Sequence, residues 1–143
     1  MRKPALLAAV LLGLIGACWA GLNSWSQPAI GLPPVTSGEV FGGGFDRLAL
    51  TAEQLTAISH WFAAHRAGWR TVVETAPAPF AAVELHHPGG QTTSIDVYRS
   101  PPSPPGWNGA VVLRQRATGE LLHSGEQKFS AQDLKEFLRL IGR

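Results

Sequence analysis

Cysteine is all but missing from this chain of 143 residues, with Cys18 the only one. It lies inside an apolar N-terminal run, so the remainder has no disulfide and no thiol nucleophile, and cysteine-protease, zinc-ribbon and thiol-redox chemistries are excluded. Charge is sparse at 15% of residues and close to balanced, with 12 Lys and Arg against 10 Asp and Glu. Arg2 and Lys3 account for the whole excess, so the chain beyond them is formally neutral. Nucleic-acid binding needs a basic surface that neutralises phosphates, and this composition does not supply one.

Chemical signatures are missing as well. There is no GxSxG elbow, HExxH helix, Walker or GxGxxG spacing, glycosidase-like signature, heptad run or internal repeat. The chain has five histidines, but their spacing is poor for a metal. On a helix, His60 and His65 are five positions apart, about 140° around the axis, and cannot share one face. His86 and His87 are neighbours in a strand and point to opposite faces. His65, between Phe62 and Trp69 on an apolar stripe, reads as a hydrogen-bonded core histidine. No metal and no cofactor are expected.

The N-terminus is well marked. Arg2 and Lys3 precede an uncharged, mostly apolar run at 5–22, the charged and apolar regions of a secretion signal. Positive charge stays on the cytoplasmic side, so the chain beyond the run is expected to be exported. The ratio of nine arginines to three lysines, with much Ala, Gly and Pro, fits a GC-rich bacterial genome. Three fates are compatible with the run. Ile15-Gly16-Ala17-Cys18 resembles a lipobox and makes Cys18 the lipidation candidate. Alternatively, the run stays as a signal anchor, since 18 residues at about 1.5 Å each nearly cross a hydrocarbon core of about 30 Å. In the third fate, cleavage after Ala20 releases a soluble protein. The first two place the protein in the bacterial cell envelope, tethered to a membrane.

Residues 23–44 are rich in helix and strand breakers, including Pro33-Pro34 and Gly42-Gly43-Gly44, and read as a Gly/Pro-rich tether. The domain is then 45–143. Phe45, Leu48 and Leu50 suggest an edge strand. Thr51 with Gln54 forms a capping box opening a helix with the stripe Leu55, Ile58, Phe62, His65 and Trp69, ending at Gly68. Alternation predicts strands at 70–75, 80–87, 92–99, 110–116 and 120–126, with hairpin turns at 87–91 and 117–119. Ser130 caps a last helix carrying Leu134, Phe137, Leu138 and Ile141, stopped by Gly142. The expected fold is α+β: a four- or five-stranded antiparallel sheet of two hairpins, with an N-terminal and a C-terminal helix on one face.

Pairing Val83 with Val97 and Leu85 with Ile95 places Glu84 opposite Asp96 on the outer face. Like charges opposite each other are destabilising, so a cation is expected nearby, from Arg114 or Arg116. His86, Tyr98 and Phe80 are assigned to that face, with Trp107 at its border. These eight residues form the candidate partner-binding set, because interfaces concentrate aromatic residues and arginine. No catalytic residue is assigned. The expected function is an envelope binding module whose partner is another envelope protein, either an immunity or inhibitor protein against an envelope toxin or an accessory subunit of an envelope complex. The alternative is a small enzyme or ligand-binding domain using the same face.

Overall fold

The computed structural model describes residues 29–143 except Val73, and Phe45 by its backbone alone. The apolar run at 5–22, with Cys18, and residues 23–28 lie outside the described residues. Among the described residues the architecture is α+β, a six-stranded antiparallel sheet with two α-helices. The elements are β1 (Ser37–Gly42), β2 (Phe45–Ala49), α1 (Ala52–Ala64), β3 (Ala81–His86), β4 (Gln91–Val97), β5 (Ala110–Ala117), β6 (Glu120–Lys128) and α2 (Ala131–Leu140). The strand order is β2-β1-β3-β4-β5-β6.

A β-hairpin therefore precedes the first helix, which corrects the expected order and raises the strand count to six. Its turn is the triple glycine, whose φ angles of +103°, +61° and +80° suit a tight reversal that other residues enter at a cost. The glycines expected to serve as a flexible spacer close a hairpin instead. Gly38 was also misleading as a breaker. A Cβ there would stand 2.8 Å from Leu85 Cδ2, so glycine is required by close packing inside a strand.

The rest of the expected tether that is described, 29–36, is a strap across the sheet's helix-bearing side. Ile30 is buried, and its N–H donates to Arg66 O at 2.9 Å. Gln115 Nε2 donates to Gly31 O at 2.9 Å, and Thr36 N–H to His86 O at 2.9 Å. Gly125 leaves room for Ile30, whose Cδ1 would be 2.9 Å from an added Cβ.

Both helices start where their caps predict. Thr51 Oγ1 accepts from Gln54 N–H at 3.2 Å while Gln54 Oε1 accepts from Thr51 N–H at 2.9 Å, and Gln54 Nε2 also donates to Leu140 O, tying the start of α1 to the end of α2. Ser130 Oγ accepts from Asp133 N–H at 3.1 Å. The first helix ends at Ala64, short of Gly68, because the chain must turn to bring Arg70 beside Glu126. Trp69 Nε1 caps the freed carbonyl of His65 at 3.0 Å.

The described residues of the expected strand at 70–75 form only an isolated bridge at Arg70. Arg70 exchanges two backbone hydrogen bonds with Glu126, each 2.8 Å, and the chain then leaves the edge so that Val72 and Ala76 cover Tyr98 and Val112. The main core lies between the helices and the sheet. Val40, Val83, Leu85, Ile95, Val97, Val111 and Leu113 meet Ile58, Phe62, Leu134, Phe137 and Ile141. Trp61 packs against Phe62, Phe129 and Phe137 at centroid distances of 5.1, 4.8 and 4.8 Å. Each such pair adds about 0.5–1.5 kcal/mol beyond the area it buries.

Candidate functional site on the outer sheet face

Residues opposite the core alternate with the apolar ones and form the outer face. Its pairing corrects the expected register by two residues. Val83 pairs with Ile95 and Glu84 with Ser94, leaving Asp96 opposite Ala82. The cause is a tighter turn. His87 N–H donates to Gln91 O at 2.9 Å, leaving only Pro88–Gly90 in the loop, with Gly89 and Gly90 at φ +78° and +76°. A slip of two keeps every side chain on its face, so Glu84 and Asp96 share the outer surface without facing each other.

A like-charge confrontation exists elsewhere. Glu39 of β1 pairs directly with Glu84 of β3. Arg47 from β2 resolves it, forming an ion pair with Glu39 and standing 4.0 Å from Glu84, with its guanidinium 4.4 Å above the Phe41 ring. Glu39, Phe41 and Arg47 belong to this face, yet sequence reasoning missed them because Glu39 and Phe41 sat in the expected tether. The signal was the alternation of Glu39, Val40 and Phe41 before three glycines, the pattern of a strand entering a hairpin.

A second ion cluster lies across β4 and β5. Arg114 Nη1 meets Asp96 Oδ2 at 2.6 Å, both side chains being largely withdrawn from solvent. Tyr98 continues this side of β4 but is 1% exposed, roofed by Val72, Ala76 and Trp107, whose ring centroid is 4.9 Å away. Burial, and then the Asp96 carboxylate, push the Tyr98 phenol up to about 12, with Arg114 pulling the other way. The phenol is therefore neutral at physiological pH and is no base.

The candidate residues are thus only partly assembled. Asp96, Arg114, Tyr98 and Trp107 come together. Tyr98 is buried under Trp107 and presents no contact surface, which corrects its place in the set. Phe80 precedes β3 and packs at the edge of the main core, with the Arg99 guanidinium 5.1 Å from its ring centre, so it does not belong to the outer face. Glu84 and His86 are half-buried on that face. Arg116 is exposed and donates to Gly119 O, closing its own hairpin.

Among the described residues, two of the clefts measure about 560 Å³ each, and none of Glu84, His86, Asp96 or Arg114 lines either. One lies beside the covered end of the outer face, walled by Arg70, Glu74, Trp107, Glu126 and Lys128. Among the described residues no group of three or more His, Cys, Asp or Glu side chains could hold a metal ion. His65 Nδ1 is 2.7 Å from Trp61 O and its ring stacks on Trp61 at 4.0 Å, a structural engagement. Comparison with known protein families, curated proteins and solved structures gives no match. Function must be read from this chain's own surfaces.

Proposed function

We propose that this chain is an exported, membrane-tethered binding module of the bacterial cell envelope that presents the outer face of its sheet to another protein. Such a module suits an immunity or inhibitor protein against an envelope toxin, or an accessory subunit of an envelope complex. Export and tethering rest on the sequence of residues 1–22. No helix among the described residues is long and apolar enough to cross a membrane, so attachment would fall to that segment.

The observation that carries the binding reading is the pattern of charge on the outer face. Glu39, Arg47 and Glu84 form one cluster and Asp96 with Arg114 another, laid side by side across five strands. Paired charges, all partly buried except the exposed Arg47, keep fixed positions, and a fixed pattern of both signs gives a protein partner register and specificity. Phe41 and Trp107 are aromatic borders of the kind that anchor interfaces. The alternative, a small enzyme or ligand-binding domain on the same face, is less well supported. Glu84 and Asp96 each lie against a guanidinium, and neither lines a cleft.

The test uses residues whose loss leaves no buried charge behind. Reversal at Arg114 would strand Asp96 beside a buried phenol, so Glu84→Lys with Arg116→Glu is preferable. The full chain, purified from detergent-solubilised membranes of its native cells after chemical crosslinking, is expected to carry a stoichiometric protein that the double variant loses at unchanged melting temperature. Recovery of no such protein, or equal recovery with the variant, would overturn the reading. Intact mass of the mature chain decides between a lipidated Cys18 and an intact anchor, and Cys18→Ser should release the protein from the membrane only in the first case.

A further inference from the structure

The second cleft differs from the first in its charge and in its floor. The first opposes Arg70 and Lys128 with Glu74 and Glu126. The second, of equal volume, is lined by Arg99, Lys135 and Arg143 and by no acidic residue. Neither Arg99 nor Lys135 has an ion-pair partner among the described residues. Its floor is apolar, made by Phe129, Leu134 and Leu138. Leu134 and Leu138 are buried members of the main core with Phe129 packed against it, so the floor is held in place from behind.

The opposite wall is also preformed. It is the connection between β4 and β5, where Ser100 N–H donates to Asn108 Oδ1 at 3.0 Å and Ser103 N–H to Arg99 O at 3.0 Å. Gly109 N–H donates to Tyr98 O at 3.0 Å, and Phe129 N–H to Gly109 O at 2.9 Å. Gly109 has φ +82°, and an added Cβ would stand 3.1 Å from Phe129 O, so glycine is what allows the wall to approach the floor. Arg99 is steadied over the Phe80 ring at 5.1 Å.

We propose that this cleft binds an amphiphilic anion, an alkyl chain bearing a phosphate or carboxylate head. The alkyl part would cover Phe129, Leu134 and Leu138, and the head would lie among Arg99, Lys135 and Arg143. The volume falls in the range of small-molecule sites, about 300–1,000 Å³. Burial of the chain supplies affinity without direction, whereas Arg99 and Lys135, which have no ion-pair partner among the described residues, select the sign of the head. Two sources share this chemistry, an anionic lipid of the adjoining bilayer and a free alkyl phosphate or fatty acid. The site is independent of the protein-binding face, since no residue of that face lines it, and either can fail alone.

Calorimetric titration of the full chain in phosphatidylcholine nanodiscs with hexyl phosphate tests the assignment, with empty nanodiscs as blank. Hexyl phosphate is expected to bind at least tenfold more tightly than inorganic phosphate, which lacks the chain, and than hexyltrimethylammonium, which reverses the head charge. Arg99→Glu with Lys135→Glu should weaken it at least tenfold. Lys135→Glu alone, on an exposed helix position, should weaken it severalfold at unchanged melting temperature, and raised salt should do the same. Equal binding of the two head charges, no binding, or indifference to both variants would overturn the proposal. Replacing part of the nanodisc lipid by phosphatidylglycerol then assigns the source. Competition points to bilayer lipid and its absence to a free ligand, both with the same cleft.

Discussion

His87 and Thr93 meet inside the domain, with the imidazole Nε2 2.7 Å from Thr93 Oγ1 and both side chains buried. The other ring nitrogen, Nδ1, is 2.9 Å from Pro34 O. A carbonyl can only accept, so Nδ1 donates to it, and Nε2 is left to pair with the threonine hydroxyl, which can donate or accept. One histidine therefore joins the hairpin of β3 and β4 to the strap at 29–36.

Replacing His87 by alanine removes both bonds and leaves the Pro34 carbonyl and the Thr93 hydroxyl without these partners. The expected loss is about 2–3 kcal/mol in urea unfolding, accompanied by faster amide exchange at Ile30 and Thr36. His86→Ala, its neighbour on the outer face, should change stability by less than about 1 kcal/mol. Equal effects would show that the strap does not depend on His87.

Gly38→Ala places a methyl group 2.8 Å from Leu85 Cδ2 and 3.0 Å from Glu84 O. Overpacking of this kind typically costs about 1–3 kcal/mol. Gly106→Ala meets nothing within 4 Å and should stay within about 0.5 kcal/mol of the parent. Thermal or urea unfolding of the two variants checks the difference.

Tyr98 is the only tyrosine, so absorbance at 295 nm titrates it alone. The expected midpoint is about 12, compared with an ordinary value of 10.0. Because the folded value is raised, the contribution of Tyr98 to stability is fully present below pH 10 and is lost as pH climbs from there through about 12. The loss is on the order of 3 kcal/mol. Tyr98→Phe should flatten that part of the stability–pH curve, and an unchanged curve would locate the alkaline loss elsewhere.

Arg114→Met leaves the Asp96 carboxylate, 18% exposed at its side chain, without its guanidinium. A cost of about 2–4 kcal/mol is expected, between the values for surface and buried pairs. Asp96→Asn in the same chain should recover most of it, since the stranded charge is gone. Denaturant midpoints for the two singles and the double give the coupling directly. Additive costs would mean that the pair is not coupled.

Much of the fold was legible because the signals are local. The Thr51 and Ser130 caps act within one helical turn, and the alternation in β3 to β6 depends only on which neighbours are apolar. The register of β3 and β4 was less so, because Pro88–Gly90 permits turns of more than one length. The register that forms closes its turn with the bond from His87 N–H to Gln91 O, two residues from the one expected. Of the candidate site, the partnership of Arg114 with Asp96 could be anticipated from the need for a nearby cation. The burial of Tyr98 could not, since it depends on Val72 and Ala76 arriving from a segment that alternates like a strand but pairs only at Arg70.

By itself, then, the sequence determined the α+β class, both helices with their caps, four of the strands and the outer-face placement of Glu84, His86 and Asp96, since periodicity and capping are properties of neighbouring residues. Tertiary structure decided the rest. It made a strand and a strap of residues 29–42, placed Arg47 between Glu39 and Glu84, and left Arg99 and Lys135 over an apolar floor without a carboxylate. The physical reason is that glycine and proline restrict or free the backbone without saying what packs against it. Gly38 and Gly125 are required by Leu85 and Ile30, residues far along the chain that only the folded molecule brings to them.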